Sequence, residues 1–114
     1  MGATEKRLEK LGIELPNKLD RGNGVVDARL QGDMLYLSAH LPLGADGKPL
    51  YVGKVGAEVD LDTAYKAARQ CGLNMLATIK DYIGDLDRID YIVKALGLVN
   101  SAGDFCSQPA VMNG

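Results

Sequence analysis

Tryptophan is absent from these 114 residues, and phenylalanine and histidine occur once each. With so few aromatics there is little material for a base-stacking platform. Neither charge dominates: 13 lysines and arginines stand against 15 acids, for a net charge of −2. That balance leaves no basic footprint for nucleic acid. Two cysteines lie 35 positions apart, with no Cys-x-x-Cys and one histidine. They supply neither a disulfide framework nor a zinc site, and the expectation is a cytoplasmic protein with reduced thiols. Met1 to Leu11 carries Glu5, Lys6, Arg7, Glu9 and Lys10, so the apolar core of a secretory signal is missing there. No apolar run approaches the roughly 18 residues of a membrane helix. What remains, 46% hydrophobic and 25% charged, is ordinary for one globular domain with a modest core.

Within that domain the chain alternates between helical and extended patterns. Leu8 and Leu11 sit opposite charges in residues 4–12, which predicts a short helix with Thr4 as N-cap; Gly12 and Pro16 end it. Residues 24–30 read as a strand and Gln31-Gly32-Asp33 as its turn. Met34 to Leu41 is apolar on both faces, which predicts a strand deep in a sheet. A loop over 44–48 and a short returning strand from Leu50 to Lys54 follow. Asp60 is a good N-cap for a long helix over 61–83, with Gly84 closing it. Its predicted apolar face is Ala64, Ala68, Cys71, Met75, Ile79 and Tyr82, flanked by Ala67, Leu76 and Ile83. Ile89 to Val99 is rich in aliphatic side chains and predicts another strand, before a loop with Phe105 and Pro109. Strands on both sides of a long helix demand a crossover, so the expected class is α+β, a mixed sheet with helices packed on one face.

Chemistry concentrates where the second strand runs out, at Ser38-Ala39-His40 before Leu41-Pro42. Strand ends hold side chains rigidly at a rim, and histidine is the side chain whose ordinary pKa suits proton transfer near neutrality. The plain alternatives are a serine satisfied by backbone and a structural or exposed histidine.

Four patches in order carry a resemblance: LGIELP (11–16), LYLSAHLPL (35–43) with GKVG (53–56), AARQCGLNMLATIK (67–80), and GDLDRIDYIVKALGLVNSAGDF (84–105). Together the chain resembles the Rid/YjgF family, in its longer-bodied branch that opens with a short helix. The resemblance implies a chorismate-mutase-like fold, a homotrimer with pockets between subunits, and hydrolysis of reactive imines and enamines to keto acids and ammonia. It implies no metal or organic cofactor, and as ligand a small imine, enamine or carboxylate; composition adds no membrane or nucleic-acid partner. By the same resemblance Ser38, His40, Phe105 and Asn113 are the substrate-binding positions, Phe105 being readable equally as a core residue. Val25 stands where the family has a pocket tyrosine.

No catalytic residue is assigned. The family's carboxylate-clamping arginine and water-positioning glutamate would fall beyond Gly114, and Arg21, Arg29, Arg69 and Arg88 do not occupy the arginine's place. The expectation is a fold incomplete at its C-terminal end, inactive alone, with bare apolar sheet that drives association. The competing function is a non-catalytic module that binds small carboxylates or regulates a partner. A third, RNA cleavage, runs against the acidic balance.

Overall fold

The computed structural model describes residues 2–20 and 24–114. Arg21, one of the four arginines weighed above, lies outside them. Helix α1 spans Ala3–Lys10, and its N-cap is Gly2, not Thr4. The capping acceptor comes from far along the chain. Asp87 takes the amides of Ala3 and Thr4 at 2.6 and 2.7 Å, so a carboxylate sits at the positive end of the helix.

Strands β1 (Ala28–Gln31) and β2 (Met34–Leu37) form an antiparallel hairpin with Ala28 opposite Leu37 and Gln31 opposite Met34. Gly32, at φ 58°, fills the first turn position, where a two-residue hairpin favours glycine. β2 is shorter than the expected Met34–Leu41 and does not lie deep: Met34 and Tyr36 face out and Leu35 and Leu37 are half-buried. It has a neighbour along one edge only, because β1–β2 is the whole sheet among the described residues. The strand expected over 50–54 is also absent. Leu50 and its neighbours form a loop tied back by single bridges, Leu43 to Pro49 and Val55 to Ser101.

Helix α2, Leu61–Ile83, keeps the expected bounds. Asp60 accepts the Thr63 amide at 2.8 Å, and Gly84 closes the helix at φ 83°. Its buried seam, however, is Ala64, Asn74, Ala77 and Thr78, while Tyr82 is exposed. The inner face is rotated toward two polar residues that apolar periodicity assigned to no surface. A short 3-10 turn, Leu86–Arg88, buries Leu86, and helix α3 (Gln108–Met112) packs on α2.

The core gathers Val55, Val59, Ala64 and Val111, with Ala68, Val99 and Phe105 against them. Gly56, at φ 88°, lies so close to Phe105 that a Cβ there would stand 3.1 Å from the ring carbon. Residues 89–99, expected as a strand, run without a pairing partner, and Tyr91, Ile92, Leu96 and Leu98 are exposed. The aliphatic content predicts a strand that the structure does not form, because pairing needs a neighbour that no described segment supplies. Among the described residues no helix is long and apolar enough to cross a membrane.

Candidate functional site

Beyond Leu37 the chain is held to the hairpin through one carbonyl. Asp27 O accepts the Ser38 amide at 3.0 Å and the Ser38 hydroxyl, more loosely, at 3.4 Å. Two residues on, His40 is gripped from both sides. Its Nδ1 lies 2.8 Å from the Ser38 carbonyl and its Nε2 lies 2.9 Å from the Thr78 hydroxyl on α2. A carbonyl only accepts, so in the neutral ring Nδ1 carries the proton. Nε2 is then a lone pair, and Thr78 must donate to it. The tautomer follows from the partners.

One turn earlier on α2, Asn74 ties down the next stretch of chain. Its amide nitrogen donates to the carbonyls of Leu41 and Leu43 at 3.0 and 3.1 Å, and its oxygen accepts from Gln70 at 3.0 Å. Asn74 and Thr78 thus fasten the end of β2 to the helix. Sequence reasoning missed both. Two polar residues spaced four apart inside an apolar helical stripe were the available signal, since buried polar groups need partners.

Two cavities border this lock, and Thr78 belongs to the wall of each. A narrow cleft of about 20 Å³ lies among Asn17, His40, Asn74 and Thr78. A larger cavity of about 420 Å³ lies between α2 and the chain leading into β1, lined by Lys18, Val25, Val26, Thr78, Asp81 and Tyr82. Its volume is in the range that small-molecule sites occupy. The Lys18 ammonium sits 3.3 Å from Asp27 and 3.6 Å from Asp81. The hydrogen bond to Asp27 chiefly pushes its pKa up, so Lys18 is a fixed cation and not an amine nucleophile.

The four sequence-derived positions separate into two groups. Ser38 and His40 come together at the end of β2. Phe105 lies in the core beside Val55 and Val111, its carbonyl accepting from Gln108 at 2.8 Å, and Asn113 caps α3 at the surface. Neither lines the two cavities, nor does Ser38; of the four positions only His40 does, on the narrow cleft. Val25, in place of the resembled family's tyrosine, does line the larger one. Among the described residues no cluster of three histidine, cysteine or acidic side chains could hold a metal ion.

Comparison with known proteins gives the fold its relatives. Residues 5–114 match the family model described as "YjgF/chorismate_mutase-like, putative endoribonuclease". Protein TCP17 of Trypanosoma cruzi is 33% identical over 113 residues, covering 99% of this chain and 70% of the relative. The crystal structure of Atu1372 from Agrobacterium tumefaciens, a protein titled as of unknown function, is 37% identical with a TM-score of 0.83. That match covers 96% of this chain and 66% of Atu1372, so the chain spans just under two thirds of that relative's length. A structure titled putative endoribonuclease from Shewanella oneidensis superimposes with a TM-score of 0.90 at 29% identity, over 98% of this chain and 74% of that one. The match across nearly the whole sequence, borne on the same α+β architecture, makes this chain a member of the YjgF/chorismate mutase-like family.

Proposed function

We propose that the protein serves the hydrolysis of small reactive imines and enamines to keto acids and ammonia, with the end of β2 as part of the substrate rim and a homotrimer completing the pocket. The observation that carries this reading is the double anchoring of His40, between the Ser38 carbonyl and the Thr78 hydroxyl, at a strand end of a YjgF-family fold. An imine carbon is already electrophilic. Water adds to it, the C–N bond breaks, and the nitrogen leaves as ammonia. Such a reaction asks chiefly for orientation and for fixed donors at the developing charge, which rigid backbone at a strand end supplies.

The described residues at the two cavities include no arginine to clamp a carboxylate and no glutamate to orient water. These 114 residues are therefore expected to contribute binding without turnover. In a chain of its relatives' length, 2-iminopropanoate generated in situ should vanish faster than by spontaneous hydrolysis, and His40→Ala, which removes the two hydrogen bonds that fix the strand end, should slow it about tenfold to a hundredfold through misplacement of that rim. The absence of any acceleration in that longer chain would remove the deaminase reading. A second reading, a carboxylate-binding module without catalysis, is favoured by one observation: Val25 lines the larger cavity where the resembled family has a tyrosine, so the wall there lacks a phenol. RNA cleavage, suggested by a relative's title, is assayed beside it on a single-stranded substrate; the acidic charge balance predicts none.

A further inference from the structure

The small cleft beside His40 is a site in its own right, and hydrogen-bond valence defines what it takes. The Thr78 hydroxyl has its proton committed to His40 Nε2 and is left with lone pairs. Asn74 has both amide protons on the Leu41 and Leu43 carbonyls, and its oxygen, with one bond from Gln70, retains a second acceptor position. On α2, then, the cleft offers acceptors. Asn17, from the stretch after α1, also lines the cleft, and its side chain is of a type that carries two amide donors. The volume is about 20 Å³. A bound water needs roughly 10–15 Å³ and two to four polar partners, so the space is enough for a water. No aspartate, glutamate, lysine or arginine lines it, which disfavours a metal cation or an anion.

We propose that this cleft is a single-water site, in which the water donates to Thr78 Oγ1 and Asn74 Oδ1 and accepts from the Asn17 side-chain amide. It joins two chain segments that share no secondary-structure hydrogen bonds, the stretch after α1 and the middle of α2, and Thr78 carries the link on to His40 at the end of β2. His40 is thereby a positioning residue whose Nε2 meets the cleft only through the Thr78 hydroxyl.

A high-resolution crystal structure of the whole chain, with long-range ¹H–¹⁵N spectra of the histidine at mildly alkaline pH, tests this without recourse to activity, so its failure is separable from failure of the deaminase reading. One ordered water within hydrogen-bonding distance of Thr78 Oγ1 and of the Asn17 or Asn74 amide is expected, with Nδ1 protonated and Nε2 bare. Thr78→Val should lose the water and move the Nε2 resonance to that of an unbonded ring nitrogen, while Thr78→Ser keeps both. A dry cleft among otherwise ordered waters, a proton on Nε2 in the parent protein, or a water retained in Thr78→Val would overturn the proposal. If Thr78→Val does not fold, the parent structure and spectra still decide.

Discussion

Asn74 shows how much one amide does in this fold. It is buried, and its two protons satisfy the carbonyls of Leu41 and Leu43 where no strand partner does. Asn74→Asp keeps the shape and removes the donors, setting a carboxylate against two carbonyl oxygens. The loss should be about 1–3 kcal/mol or more, read as a lower denaturant midpoint at unchanged slope; an aspartate variant as stable as the parent would contradict the assignment. The thiols separate on similar grounds. Burial pushes the Cys71 thiol up, whereas Cys106 is exposed. A thiol reagent followed by mass spectrometry should therefore modify Cys106 well before Cys71. The apolar helical face predicts a sheltered Cys71, and the structure makes it half-buried. Asn74 and Thr78 were not readable, because a hydropathy pattern scores a polar residue as outward whether or not a carbonyl is waiting for it.

Among the elements, α1 is held by a contact 84 residues away in sequence. The Thr4 and Ala3 hydrogen bonds hold the Asp87 carboxyl below the usual carboxylate range, the Thr4 bonds contributing most. A depressed folded pKa means that the anchoring is fully present above the ordinary aspartate value near 3.9 and is lost as pH falls through the lower, folded one. Acidification below about pH 4 should thus free α1 before the rest of the molecule, seen as faster amide exchange at Ala3 and Thr4. Unchanged protection there in Asp87→Ala at neutral pH would refute the anchor. Element existence was legible for α1, the β1–β2 hairpin and α2, since capping residues, a glycine turn and 3.6-residue periodicity act locally. The cap on α1 was not, because Thr4 looks right from sequence and the true acceptor arrives through tertiary packing.

For the molecule as a whole, the run 89–99, without a strand partner, is an exposed flank. Leu96 and Leu98 are 82% and 88% exposed, and Tyr91 71%. Each hundred Å² of apolar surface left in water forfeits roughly 2.5 kcal/mol, and an extended segment with unpaired backbone groups invites pairing. At micromolar concentration the 114-residue chain should sediment as concentration-dependent oligomers; a compact monomer throughout would contradict this. The same flank explains why the sheet was overestimated: aliphatic alternation reports a capacity to pair, and the neighbour decides whether pairing occurs. The family was legible because its motifs are read from residue identity and order, even over 84–105 where most of the chain carries no regular element, whereas the placement of Phe105 in the core and Asn113 at a helix cap depended on how α3 meets α2. The central claim is that the end of β2 is a ligand-binding rim. Titrating the isotope-labelled 114-residue chain with pyruvate, a keto-acid product, tests it most directly. Saturable amide shifts are expected, centred on Ser38 to Leu41 and carried to Thr78, and diminished in His40→Ala; shifts confined to other parts of the fold, or none at saturating pyruvate, would contradict a binding rim there.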